Sequence, residues 1–150
     1  MGNGSLAWIG SNQTDDSIAR RSKQVRFLVI HENAPVRKLI KSILRNMGFP
    51  TVLEESVAGN FLDTLVKEKV HVLICSGGDP HEQDWDWVKA LRAQEHTQKT
   101  GVIIISSLTE KDVILDAVRA GVDDYIVMPF SALVFEERID TLLQKKQLIS

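Results

Sequence analysis

The sequence predicts an α/β fold, a doubly wound parallel sheet of five strands, (βα)₅, with helices on both faces. Two observations carry this. Five short β-rich apolar runs alternate with five segments whose apolar residues recur at helical spacing. The fourth run, "GVIIIS", has no polar interruption before its last residue, as expected of a strand covered on both faces. Right-handed crossovers between successive strands then make the sheet parallel and send helices to both sides.

Residues 1–24 are rich in Gly, Ser, Asn, Gln and Asp and leave through "ARRSKQ". They read as a flexible N-terminal tail in which Trp8 and Ile9 stand out as large apolar side chains. The folded domain is expected over 25–146, with 147–150 as a C-terminal tail. "VRFLVI" is the first strand. "NAPVRKLIKSILRNMG" is the first helix: Asn33 caps it, Pro35 fits its first turn, and Gly48 stops it. Val36, Leu39, Ile40, Ile43, Leu44 and Met47 form its inward stripe, which leaves Arg37, Lys38, Lys41 and Arg45 on a solvated face.

"TVLEE" and "AGNFLDTLVKE" are the second strand and helix, and "VHVLIC" and "DWDWVKALRAQ" the third. After "GVIIIS" comes "TEKDVILDAVRAG", with a Thr109–Asp112 capping pattern and Gly121 as its stop. "DYIVM" and "SALVFEERIDTLLQKK" complete the alternation. Trp85 and Trp87, two residues apart, cannot share one face of a helix. Val88 and Leu91 continue the inward stripe with Trp87, so Trp85 is expected to be exposed. There it could anchor a partner, cover the loop above it, or receive Trp8.

The chain's 150 residues suit one core, and a formal net charge of −2 without a basic block gives no footprint for nucleic acid. The single cysteine, Cys75, excludes an internal disulfide and fits a reducing compartment, and its apolar neighbours make it a core residue rather than a reactive thiol. No apolar run approaches the roughly 18 residues that span a bilayer. "MGNGSL" lacks the basic and apolar parts of a secretion signal and carries Leu6 where a myristoylation signal has Ser or Thr. A cytoplasmic protein without membrane attachment is expected.

Ligands of open parallel sheets bind beyond the carboxyl ends of the strands. That edge carries His31, Glu32 and Asn33, then Ser76 to Asp79, then Ser106 and Ser107, then Met128 and Pro129. A nucleotide or flavin would need a glycine-rich cradle, but "HENAPV" has no glycine and "SGGDP" fits no phosphate motif. Ser76 with His31 and either Asp79 or Glu32 could form a hydrolytic trio, yet no G-x-S-x-G elbow surrounds the serine. The plain reading is a hydroxyl satisfying loop backbone. His31, Glu32, Asp79 and His81 are metal-ligand types on two neighbouring loops, without standard zinc spacing. His71 and His96 lie apart from this edge.

"FLVIHENAPVRKLIKSILRNMGF" and "AGVDDYIVMPF" resemble the receiver domains of two-component response regulators, especially the single-domain, CheY-like chemotaxis type. The resemblance covers about residues 25–146 and implies a flavodoxin/CheY-like strand order of 2-1-3-4-5. It implies a non-enzymatic phosphorelay module in which an acidic pair ends the first strand; here "VIHENAPVR" places His31 and Glu32 there and keeps Arg37. The acceptor aspartate four residues before a proline is matched by Ser76, counted back from Pro80. The hydroxyl residue ending strand four is matched by Ser106, the aromatic switch residue by Tyr125, and the lysine before the last-loop proline by Met128. The Met128–Pro129 bond is expected cis, and Met128 is expected to pack over the corner.

A neutral hydroxyl does not replace a carboxylate that must attack as an anion, one acid of three leaves magnesium poorly held, and methionine cannot balance phosphoryl charge. The resemblance thus implies a degenerate pocket of His31, Glu32, Ser76, Ser106 and Met128, with no cofactor. Mg²⁺ enters only in the alternative where Asp79, with Glu32 as a weak ligand, acts as a substitute acceptor. Ser106 and Tyr125 read either as residual switch residues or as a loop hydroxyl and a half-buried ring. The partner-binding or self-associating face of the family, helix four to helix five, would carry Asp112, Asp116, Arg119, Tyr125, Glu136, Glu137 and Asp140, with Trp85 as a further candidate.

Overall fold

The computed structural model describes residues 24–56, 60–77 and 85–149. Ten elements alternate: β1 (Phe27–Ile30), α1 (Ala34–Asn46), β2 (Val52–Glu55), α2 (Phe61–Lys67), β3 (Val72–Ser76), α3 (Asp86–Ala93), β4 (Gly101–Ser106), α4 (Lys111–Ala120), β5 (Asp124–Val127) and α5 (Ala132–Lys145). The strands form one parallel sheet in the order β2-β1-β3-β4-β5, as expected.

Period-two alternation divides the core. Phe27, Val29, Val72, Ile74, Ile103, Ile105 and Ile126 face the layer of α1 and α5, where they meet Ile40, Leu44, Phe135 and Ile139. Leu28, Ile30, Leu73, Cys75, Val102, Ile104 and Tyr125 face α2, α3 and α4, where they meet Phe61, Leu65, Val88, Leu91 and Ala117. The register sets Ile30 beside Cys75, Ser76 beside Ile105 and Ser106 beside Val127, so the strands' carboxyl ends lie at nearly one level.

The caps follow the sequence at α1 and α5. Asn33 Oδ1 accepts the Val36 N–H at 3.1 Å, and Ser131 Oγ accepts the Val134 N–H at 3.1 Å. Gly121 ends α4 in the left-handed region (φ 118°), where a β-carbon would be strained.

Four expectations need correction. The Thr109–Asp112 cap does not form: α4 starts at Lys111, and Glu110 precedes it with no side-chain cap bond. Leu39 leaves the inward stripe and is 49% exposed, because the core side of α1 is satisfied by Ile40, Ile43 and Leu44. Arg37 is not simply solvated: Nη1 donates to the His31 carbonyl at 2.5 Å, and Nε approaches Glu54, which also pairs with Lys41 at 3.0 Å. Trp85 is half-buried rather than exposed, since α3 begins at Asp86 and the helical spacing that opposed the two tryptophans does not apply. Both rings pack on the α2–α3–α4 side, with centroids 6.4 Å apart.

Beyond α5, Gln147 turns with φ 60° and the Leu148 N–H bonds the Leu143 carbonyl at 2.8 Å. Leu148 and Ile149 therefore fold back onto the α1–α5 core. Trp8 and Ile9 lie outside the described residues. Among the described residues, no helix is long and apolar enough to cross a membrane.

The amino ends of β4 and β5 are knit by Arg92 of α3. Its guanidinium donates to the carbonyls of Gln98 (2.9 Å), Thr100 (2.5 Å) and Gly121 (3.0 and 2.8 Å) and to Asp123 Oδ2 (2.9 Å). Asp123 is 8% exposed at its side chain, accepts the Val102 N–H at 2.8 Å, and has Lys146 at 3.2 Å. Removing Arg92 leaves the partly buried Thr100 and Gly121 carbonyls and the Asp123 carboxylate without this donor. Arg92→Ala is expected to lower unfolding free energy in urea by about 2–4 kcal/mol, and Arg92→Lys to recover little, because an ammonium cannot reach the forked set. A loss within about 0.5 kcal/mol would mean the cluster is only surface decoration.

Candidate functional site

The carboxyl edge of the sheet is built by the ends of β1, β3, β4 and β5. His31, directly after β1, is 5% exposed and acts as an acceptor: its Nδ1 takes the Asn33 N–H at 3.0 Å. Its backbone N–H bonds the Glu55 carbonyl at 3.2 Å and its carbonyl takes Arg37. Burial lowers the imidazole's pKa, and the Arg37 charge lowers it further against an opposing pull from Glu32. His31 is thus a neutral structural residue with Nδ1 already engaged.

Glu32, on the next residue, is exposed. It lines a cleft of about 410 Å³ together with Ile30, Ser56, Phe61, Cys75, Ser76 and Trp87. Phe61 and Trp87 meet edge to face, with centroids 5.2 Å apart and planes at 85°. Cys75 is buried, and burial, with a smaller push from Glu32, raises its thiol to about 12. It is therefore a protonated wall of the cleft, not a nucleophile.

Ser76 ends β3, half-buried, and Gly77 follows in a position that only glycine fits. A β-carbon at Gly77 would lie 2.7 Å from Ser106 Cβ and 2.9 Å from Ser106 Oγ. Ser106 Oγ accepts the Leu108 N–H at 3.1 Å, and the Tyr125 hydroxyl donates to the Leu108 carbonyl at 3.0 Å. The two side chains hold a single backbone residue from opposite sides. Both are buried, at 4% and 8% exposure, so Tyr125 lies beneath the α4–α5 face rather than on it, a correction to its placement as a partner contact.

Met128 does not line the Ser76 cleft, contrary to expectation. Alternation along β5 sends it to the same side as Ile126, where it joins Val36, Leu39, Ser107, Pro129 and Phe130 around a second cleft of about 410 Å³. The Met128–Pro129 bond is cis. Asp112, Asp116, Arg119, Glu137 and Asp140 are exposed on α4 and α5, and Glu136 is half-buried. Arg119 and Asp116 approach at 4.0 Å, a solvated pair.

The edge does not make a divalent-cation site from the described residues. Among the described residues, Glu32 is the sole carboxylate lining the cleft, and no group of three His, Cys, Asp or Glu could hold an ion. Of the four residues suggested as metal ligands, His31 and Glu32 are placed as above, whereas Asp79 and His81 lie outside the described residues. Three features escaped sequence reading: the Phe61–Trp87 wall, the Leu108 anchor, and the Arg37 bond to the His31 carbonyl.

A family model for the response regulator receiver domain matches residues 27–140. Chemotaxis protein CheY-3 of Vibrio cholerae is 27% identical over 124 residues, covering 83% of this chain and 95% of that protein. A CheY homolog of Campylobacter jejuni is 31% identical over 120 residues, covering 79% and 92%. The solved structure of Vibrio cholerae CheY4 superimposes with a TM-score of 0.69 at 18% identity, over 79% of this chain and 98% of that one.

Two predictions follow from the geometry. His71, like His31, accepts a backbone N–H on Nδ1, from Arg26 at 2.9 Å, and burial lowers its pKa, with Arg26 adding to the shift. Below the ordinary histidine value of about 6.5 the unfolded chain binds more protons than the folded one. Their contribution is complete above that value and is lost as pH falls through the lower folded values. Tm is expected to fall on acidification from about pH 7 to 5, with a flatter profile in His71→Asn, which keeps an acceptor without titrating. An unchanged profile in that variant would remove His71 from the account. Gly77→Ala is expected to cost about 1–3 kcal/mol in urea unfolding through its collision with Ser106, and Ser106→Gly in the same chain to restore part of it; no rescue would place the strain elsewhere.

Proposed function

The chain belongs to the response regulator receiver domain family, and from that premise we propose that it signals by binding a protein partner without being phosphorylated at Ser76. The observation that carries this reading is the donor set at the corner. By the sequence resemblance Ser76 stands where the family has its acceptor, the cleft beside it has Glu32 as its one described carboxylate, and Met128 lies on the α1–α5 side.

Phosphoryl transfer from a phosphohistidine needs three things at once. An anionic oxygen must attack, a magnesium ion must be held by several hard oxygens, and a fixed cation must offset the charge that arrives. Ser76 is a neutral alcohol, and His31, at the end of the neighbouring strand β1, has Nδ1 committed to the Asn33 N–H. Met128 supplies no charge. The chain on this reading is not an enzyme, needs no magnesium, and works in the cytoplasm. Its partner face is the exposed, charged surface of α4 and α5, where Asp112, Asp116, Arg119 and Glu137 stand in solvent. Self-association through the same face would serve equally.

Acetyl phosphate or beryllofluoride with magnesium tests the reading directly. Intact mass is expected to show no adduct, and amide resonances of α4 no shift. A stoichiometric adduct mapped to Asp79 would replace this reading with a phosphorelay receiver that uses a displaced acceptor; one mapped to Ser76 would defeat it outright. In cells, Ser76→Ala is expected to leave output intact and Arg119→Glu to reduce it.

A further inference from the structure

We propose that the cleft beside Ser76 binds a small, free organic cation of the quaternary ammonium class, with its charged head between Glu32, Phe61 and Trp87. This deepens the phosphate-free reading above and rests on it, since a phosphorylated corner would hold anions and metal instead.

The first ground is shape. A cleft of about 410 Å³ has the size of a small-molecule site rather than that of a macromolecular face. The second is the character of its walls. Ile30, Cys75, Phe61 and Trp87 are apolar or aromatic, and the two rings meet edge to face at 85°, so an aromatic corner borders the space. A ring quadrupole attracts a cation that has little hydration to lose.

The third ground is charge. Among the described residues that line the cleft, Glu32 is the only formally charged one, and no ion pair to it forms among the described residues. The nearest arginine by sequence, Arg37, is engaged with the His31 carbonyl and Glu54. Cys75 remains a neutral thiol. From the described lining residues, an anion entering this space meets a carboxylate and no compensating cation, and a divalent metal meets one carboxylate where it requires several hard oxygens.

A primary ammonium would keep three N–H donors to satisfy. A quaternary head has none, and aromatic walls with one carboxylate are sufficient for it. Ser56 and Ser76 add two hydroxyls at the polar side of the cleft, suited to a ligand that carries a hydroxyl on a short chain.

Choline is the probe that combines these features, and 3,3-dimethylbutan-1-ol is its uncharged isostere. Titration of the full chain, followed by amide and indole N–H resonances, is expected to give saturable shifts at Trp87, Glu32 and Ser76 with choline. The isostere is expected to bind about tenfold more weakly, and Glu32→Gln to weaken choline by a similar factor. Glu32 is exposed, so that variant keeps the fold, and an unchanged Tm verifies it. Absence of a saturable choline shift, or equal shifts with the isostere, overturns the inference. The acetyl phosphate experiment separates the two claims: no adduct together with no choline binding defeats the ligand alone, whereas an adduct defeats the phosphate-free reading beneath it.

Discussion

Parallel pairing in one register is the constraint on which this molecule depends. Once Ile30 lies beside Cys75, and Ser76 beside Ile105, the residues that end the central strands must share a corner, whatever their chemistry. Alternation then fixes which side each one takes. Ser106 and Tyr125 fall to the α2–α3–α4 side and meet over Leu108, while Met128 falls to the α1–α5 side with Ile126. Just past β3, Gly77 comes so close to Ser106 that a β-carbon there would lie 2.7 Å from Ser106 Cβ. The chemistry of the corner is thus an outcome of strand register, and strand register is maintained by the apolar residues below it.

Electrostatics at that corner is sparing. Isolated charges are costly to bury, and the described side chains avoid the cost. His31 is kept neutral by burial and by serving as an acceptor, Cys75 stays protonated, and Glu32 remains at the surface. At the opposite end of the sheet, Arg92 and Asp123 pair with each other and bind the loops there.

Strand and helix periodicity made the architecture legible, because each element has an apolar face that only one assignment satisfies. Strand order needed the family resemblance, since period and length do not say which strands are neighbours. Failures have specific causes. Leu39 was misplaced because six apolar residues on α1 exceed what its core face accepts, and the surplus lines the Met128 cleft. Trp85 differs from expectation because α3 starts at Asp86, which puts Trp85 ahead of the helix, where helical spacing does not set its direction. Arg92 was invisible because four of its five bonds go to backbone carbonyls, which leave no signature in side-chain pattern. Leu108 was invisible for the same reason: both of its bonds are through its main chain.

That main-chain anchor bears on how a receiver fold could signal without phosphate. In this chain the loop entering α4 is tied on both sides, by Ser106 from β4 and by Tyr125 from β5. Each bond contributes about 1 kcal/mol net, so together they favour the tied loop over a released one by roughly tenfold to thirtyfold. Tyr125 also buries its ring against Ile104 and Ala117, which adds to the same preference. The charged face of α4 above that loop therefore rests on a support that favours one arrangement, held by side chains from two neighbouring strands.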